Sequence, residues 1–391
     1  MNLAESVEST FQEKFKEQPL LIRSPGRVNL IGEHTDYNEG YVLPASIDKS
    51  IYFAIAPRKD RCCTVVATDM NDEHEFSIDD LQYSKKEWPN YLMGVVDQFI
   101  KAQYDFKGFN CVFGGDIPLG AGMSSSAALE AGLAFALNSV FELRIDKLSL
   151  VKFAQKAENE YVGVQCGIMD QYINIFGKQD NVLRIDCRSL ECKYYPFAFH
   201  SVSLVLFDSR VSHSLASSEY NRRREECGEG VAMIKKSFSE VNSLRDVSAE
   251  MIQKFKDKMG ATIYRRCKYV VEENDRVLQA CIELEKGDLK AFGKLMAKTH
   301  EGLSRDYEVS CKELDYLVEL VRDDPQVYGS RMMGGGFGGC TINLIENSHI
   351  EEISTMVAEK YKKKFQADFK MYCTSIGPGT NILTSKNHAE A

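Results

Sequence analysis

The sequence predicts a protein of mixed strands and helices, folded as two or three domains. Three observations carry this. A chain of 391 residues is too long for one small core. Strand-like alternations and apolar runs interleave with segments at helical spacing. Near the first third of the chain, the glycine-serine stretch Gly120–Ser126 joins a strand end at Cys111–Gly115 to a long helical pattern over Ala127–Leu143. The composition is that of an ordinary globular chain, 44% hydrophobic and 27% charged.

In chain order, Asn2–Glu17 reads as a surface helix, with Leu3, Val7, Phe11 and Phe15 at helical spacing. Leu20–Ile31 reads as a strand broken by Ser24-Pro25-Gly26. Tyr41–Ala56, Cys62–Thr68 and Glu73–Asp80 read as strands, and Trp88–Lys101 as a helix. Leu148–Val162 is a further helix, ended by Gly163 and Gly167. Asn181–Asp186 and Ser203–Asp208 are strand-like, and Ser212–Arg224 resembles a capped helix start. The triple arginine Arg222–Arg224 reads as a solvated face. Lys235–Ala297 is mainly helical and charged, with no chemistry to single out. Tyr328–Cys340 is a loop holding five glycines in six residues, and Thr341–Leu383 reads strand, helix, strand.

The net charge of −9 argues against a nucleic-acid partner held by an overall basic field. No run approaches the ~20 apolar residues of a membrane span. The twelve cysteines are scattered without a Cys-x-x-Cys pair, which fits free thiols in a reducing compartment. The first residues lack the layout of a secretory signal, so the expected location is the cytoplasm.

Two stretches carry chemistry. In GAGMSSS, glycines permit close backbone approach, and the helix behind offers unpaired N–H groups, so the loop suits phosphate oxygens. It is not a Walker A loop, because no Gly-Lys-Ser/Thr follows. The plainer reading is a tight turn with a serine N-cap. In GRVNLIGEHTDYNEG, Arg27, Glu33, His34, Asp36 and Asn38 fall within a dozen residues between apolar flanks, a set suited to the hydroxyls of a polyol. Glu158 and Asp170 lie either side of a turn, with Asp170 in a largely apolar run where a charge is costly unless paired or used. Trp88, the only tryptophan, reads either as a core-edge aromatic or as a wall for a flat purine.

GRVNLIGEHTDYNEGYVLP at 26–44, GAGMSSSAALE at 120–130 and MGGGFGGC at 333–340 occur in an order that resembles the GHMP small-molecule kinases, named for galactokinase, homoserine kinase, mevalonate kinase and phosphomevalonate kinase. The first stretch, with CGIMDQY and HSLASSEY, is similar to the galactokinase branch, and the resemblance runs from about residue 20 to the end. It implies an α+β fold of two domains, here 1–195 and 196–391. The first would be ribosomal-protein-S5-like and the second ferredoxin-like, with the active site in the cleft between them. The implied reaction is transfer of phosphoryl from Mg2+-ATP to the C1 hydroxyl of D-galactose, giving α-D-galactose 1-phosphate and ADP, the first kinase step of the Leloir pathway.

Residue by residue, the resemblance implies that Asp170 is catalytic and paired with Arg27. Glu33, His34, Thr35, Asp36, Gly167 and Tyr220 would hold the sugar. Gly120, Ala121, Gly122, Met123, Ser124, Ser125 and Ser126 would hold the triphosphate, with Trp88 stacked on adenine. Ser126 and Glu158 would contact Mg2+. The small-molecule partners are galactose and ATP, with no nucleic acid or membrane, and the chain is expected as a monomer or weak dimer. An N-acetylgalactosamine kinase is the nearest alternative, disfavoured by Thr35 and Asn38. A non-catalytic galactose/ATP-binding transcriptional sensor is disfavoured by the intact Ser124–Ala128.

Overall fold

The structure, a computed structural model, describes residues 2–118, 120–211 and 216–384. Helix α1 (Leu3–Phe15) is capped by Asn2 and Glu5; of the residues read at helical spacing it buries Val7 and Phe11, together with Ala4, while Leu3 is exposed. Strand β1 (Leu20–Asn29) is continuous, where the sequence predicted a break. Its register to the next long strand shifts between Pro25 and Arg27: Pro25 faces Ser50 and Arg27 faces Ser46, so the extra residues, within 47–49, lie on the partner strand and β1 itself runs on without a break.

The first half continues through β2 (Tyr41–Val42), β3 (Pro44–Pro57), β4 (Cys62–Ala67), β5 (Asp72–Ser77), α2 (Glu87–Lys101) and β6 (Phe109–Gly115). Helix α3 (Ser125–Val140) is apolar on all sides, as a helix enclosed by protein must be. Then come α4 (Lys147–Lys156), a π-helical turn (Ala157–Val162), α5 (Met169–Phe176), β7 (Asn181–Asp186) and β8 (Cys192–Pro196). The sequence reading missed β8, whose side chains are mostly exposed and carry weak patterning.

The second half holds β9 (Val202–Asp208), α6 (Ala216–Lys235), α7 (Ala249–Gln253), α8 (Ala261–Lys286), α9 (Leu289–Arg305), α10 (Lys312–Val321), β10 (Val327–Met332), β11 (Cys340–Glu346), α11 (Ile350–Phe365), β12 (Lys370–Thr374) and β13 (Asn381–Ile382). The cap expected at Ser212 lies outside the described residues. Part of the expected loop at 328–340 is strand β10. Arg223, expected in a solvated face, is buried and donates to the carbonyls of Tyr307 (2.7 Å) and Glu308 (2.9 Å).

Three sheets result, with strand orders β13-β1-β3-β6-β4-β5, β10-β11-β9-β12 and β2-β7-β8. All pairings are antiparallel except β4 with β6. Strand β13 returns to the outer edge of the first sheet. Buried Arg23 fastens this return by donating to the carbonyls of Pro378 (3.0 Å) and Ile47 (2.7 Å). The division expected at 195/196 falls at the end of β8, where the chain passes to the four-stranded sheet; β13 lies outside any division at a single point. One hydrophobic core joins Phe53 and Leu133 of the first half to Leu206 and Ile342 of the second. The halves therefore share buried surface, which holds the loops between them in fixed register. Among the described residues, no helix is long and apolar enough to cross a membrane, and all twelve cysteines are free.

Candidate active site

The loop from β6 to α3 forms the seam of the site. Gly120 (φ 76°) and Gly122 (φ 74°) take left-handed backbone that few other residues adopt. Ser124 takes it too, at φ 57°. Its side chain makes no capping bond, contrary to the N-cap reading; the hydroxyl donates to Asp170 Oδ2 at 2.6 Å. The first turn of α3 thus keeps N–H groups for an outside acceptor. Ala121 and Met123 turn their side chains into the core, and the Met123 carbonyl accepts from the Arg27 backbone N–H at 3.1 Å.

Strand β1 presents Arg27 to Asp170 in a fork, Nε to Oδ1 and Nη2 to Oδ2, both at 2.6 Å. The third arm of the guanidinium donates to the Gly122 carbonyl. The neighbouring Asp170 raises the Arg27 pKa against the lowering effect of burial, so its charge is permanent. Arginine, aspartate and phosphate loop are thereby one hydrogen-bonded unit.

On one side of this unit lies a cavity of about 360 Å3, lined by Arg27, Glu33, His34, Asp36, Gly167, Asp170 and Tyr220, with Gly334 and Gly335 of the third glycine-rich loop. Gly167 is packed against Asp36 so closely that a Cβ would fall 1.7 Å from the Asp36 carboxylate. Burial pushes the Asp36 pKa up to about 7, with Asp170 and Glu33 adding to the rise. Burial moves His34 the other way, down to about 4, so the ring is neutral at neutral pH. Glu33 accepts from the Gly334 N–H at 2.8 Å and from Arg331 at 3.0 Å. Thr35 is a correction: it is fully buried, outside the cavity lining, and its hydroxyl lies at 2.8 Å from the Gly32 carbonyl and 2.6 Å from that of Tyr41. Its hydroxyl closes the loop and is turned away from the cavity.

On the other side lies a cavity of about 630 Å3, mostly apolar, lined by Trp88, Tyr91, Phe113, Leu129, Ser125 and Ser126 among others. Trp88 sits at the edge of the core, where its ring meets Phe113 edge-on at 5.5 Å, and it lines this cavity. Its indole N–H donates to Asp72 at 3.0 Å, which sets the ring's tilt.

Below the loop, Glu158 on the π-helical turn accepts from Gln171 (2.8 Å) and Cys166 (3.3 Å). Glu130 lies beside it, fully buried, with one carboxylate oxygen unpartnered. Burial pushes both carboxyls up; Glu158 and Asp170 raise Glu130 further and Asp170 raises Glu158, whereas Cys166, Ser126 and Glu130 hold Glu158 down. Crowded hard oxygen donors without a basic partner suit a divalent cation. Among the described residues no group of three or more His, Cys, Asp or Glu forms a metal cage.

Sequence reasoning missed the supports contributed by the second half. Arg331 is fully buried and donates to the Leu30 carbonyl at 2.8 Å, to those of Asn29 and Met332, and to Glu33. Glu273 on α8 accepts from the Gly32 N–H at 2.8 Å, and the Tyr269 hydroxyl donates to the Glu33 carbonyl at 3.1 Å. Arg331 had one signal, its place two residues before the third glycine run. Tyr269 and Glu273 had none in an ordinary helical pattern.

Comparison with known proteins agrees with this geometry. The galactokinase galactose-binding signature matches residues 9–57. The GHMP kinase N-terminal domain matches residues 90–178 and the GHMP kinase C-terminal domain residues 279–363. A galactokinase of Roseiflexus sp. is 43% identical, with 90% of each chain covered. One from Clostridium perfringens is 39% identical over 97% of this chain and 99% of its own. The crystal structure of Lactococcus lactis galactokinase complexed with galactose superposes with a TM-score of 0.93 at 33% identity, covering 98% of this chain and all of that one. The chain belongs to the galactokinases of the GHMP kinase family.

Proposed function

We propose that the chain transfers the γ-phosphoryl group of ATP to the C1 hydroxyl of D-galactose, giving α-D-galactose 1-phosphate and ADP. The observation that carries this is the Arg27–Asp170 fork, tied through Ser124 and Gly122 to the phosphate loop at the seam of two cavities. One cavity is set with the carboxylates of Glu33, Asp36 and Asp170; the other is aromatic. A sugar in the first and a nucleotide base in the second bring a hydroxyl and a phosphoryl group to the same carboxylate.

Phosphoryl transfer asks for placement and charge neutralisation more than for covalent chemistry. Asp170 orients the C1 hydroxyl and accepts its proton late, since the nucleophile stays largely protonated in a loose transition state. Arg27 holds Asp170 in one orientation and sets a fixed positive charge beside the transferring group. The open N–H groups at the start of α3 receive phosphate oxygens. Ser126 and Glu158 would hold Mg2+, which when bound neutralises phosphate charge. Trp88 and Tyr91 offer flat apolar faces to adenine. The same reading places the enzyme in the cytoplasm, which twelve free thiols support, and takes it as a monomer or weak dimer.

The test is ADP release with Mg2+-ATP and D-galactose, D-glucose or N-acetylgalactosamine. Galactose is expected to turn over, with kcat/KM for glucose lower by about a hundredfold or more, because a site built to pair a hydroxyl rejects its misplacement. Equal use of glucose would overturn the sugar assignment, and faster use of N-acetylgalactosamine would reassign the substrate.

Asp36 gives a second prediction. Sugar hydroxyls donating to its carboxylate favour the ionised form, so binding lowers the raised pKa and expels a proton. Galactose affinity is therefore expected to weaken as pH falls through about 7. Calorimetry near that pH, in buffers of different ionisation enthalpy, should read net proton release that Asp36→Asn removes. A buffer-independent enthalpy would contradict this.

A further inference from the structure

Beside the sugar cavity, four side chains from separate parts of the chain form a line of hydrogen bonds whose direction is set from one end. The Gly335 carbonyl can only accept, and His34 Nε2 lies 3.2 Å from it, so Nε2 carries the proton. A neutral imidazole has one N–H, so Nδ1 holds a lone pair and accepts from the Tyr37 hydroxyl at 2.7 Å. Tyr37 has then spent its only proton, and its oxygen accepts from the Tyr307 hydroxyl at 2.8 Å. Tyr307 is spent in turn, and accepts from the Cys227 thiol at 3.2 Å. Each donor is forced by the one before it.

The rings are packed as well as bonded. His34 lies 4.9 Å from Tyr307 and 5.2 Å from Tyr220, centre to centre, and Tyr307 and Cys227 are buried. The backbone of His34 is left-handed, at φ 63°, which turns the ring toward the cavity and the third glycine-rich loop. The charged groups that face it are Glu33 and Arg223. Neither Tyr37 nor Tyr307 lines the cavity, and both hydroxyls are taken up along the line.

We propose that Tyr37, backed by Tyr307 and Cys227, is a positioning residue that holds His34 as an Nε2–H donor toward a hydroxyl oxygen of the bound hexose. The inference rests on the sugar reading of this cavity. The loose 3.2 Å contact to Gly335 is the bond that an arriving hydroxyl shares or replaces. The chain also ties α6 and the segment after α9 to the sugar signature, so both halves of the molecule set the donor.

The test begins with ligand-free protein labelled with 15N-histidine. Long-range 1H–15N spectra are recorded near neutral pH, with the His34 signal assigned by its loss in His34→Gln. The Nε2–H tautomer is expected. In Tyr37→Phe, Nδ1 loses its donor, and a mixture with the Nδ1–H tautomer should appear. The KM for galactose should then rise about tenfold, the scale of one hydrogen bond, while kcat stays within about twofold, as for a loss of uniform binding. Tyr307→Phe should move both readouts the same way by less, and it serves if Tyr37→Phe does not fold. A wild-type spectrum with Nδ1–H or imidazolium overturns the chain. So does a Tyr37→Phe protein with unchanged tautomer and KM, or one that loses kcat at constant KM. An Nε2–H spectrum in a protein without galactose turnover leaves the chain standing and sinks the sugar reading instead.

Discussion

Asp170→Asn is expected to lose about a thousandfold in turnover, the range for a lost general base, while galactose still binds. The amide keeps the size of the carboxylate and still accepts one bond, from Arg27 or from Ser124. It can no longer take the C1 proton or answer the guanidinium with a charge. Arg27 is nine-tenths buried and would keep its charge with no counter-ion, so some stability is lost too. ADP release measures the first effect and calorimetric titration with galactose the binding. Circular dichroism separates both from misfolding. Turnover near the wild-type rate would remove Asp170 from the mechanism.

Arg331→Met is expected to be the most destabilising single change at the site, by about 3–5 kcal/mol, the cost of breaking a buried ion pair. Methionine fills much of the volume, so the effect isolates the charge and its bonds. Three backbone carbonyls lose a donor, and the Glu33 carboxylate, 3% exposed, keeps only the Gly334 N–H. The midpoint of urea unfolding should fall accordingly. Sugar affinity should fall with it, because Gly334 and Gly335 form one wall of the cavity and Glu33 anchors them. An unchanged midpoint would mean that the second half does not brace the sugar signature in this way.

The two experiments probe opposite ends of one design. Asp170 is held by residues close to it in the site: Arg27 on β1, itself bonded to the Gly122 carbonyl, and Ser124 on a strained loop. Glu33 and His34 are held from far away in sequence, by Arg331, Tyr307 and the third glycine-rich loop. The sugar cavity is therefore complete only when the two halves have packed. This accounts for a core that runs through both.

What the sequence by itself determined is the chemistry and its local frame. Arg27, Asp170 and the glycine-serine loop stand in contiguous stretches whose residue types already demand close backbone approach and a paired charge. A helix such as α1 follows from spacing alone, because periodicity is a local property. Only the tertiary structure decided where polar side chains point. Ser124 occupies a capping position, yet its left-handed backbone swings the hydroxyl to Asp170. Thr35 sits among sugar-facing residues, yet its hydroxyl closes its own loop. Arg223 belongs to an arginine run, yet it is buried against two carbonyls. Arg331 and Glu273 meet the sugar signature across more than two hundred residues of chain. The physical reason is common to all five: a buried polar atom takes the partner that packing brings within reach, and for these side chains that partner comes from another element of the fold or from the turn of the loop itself.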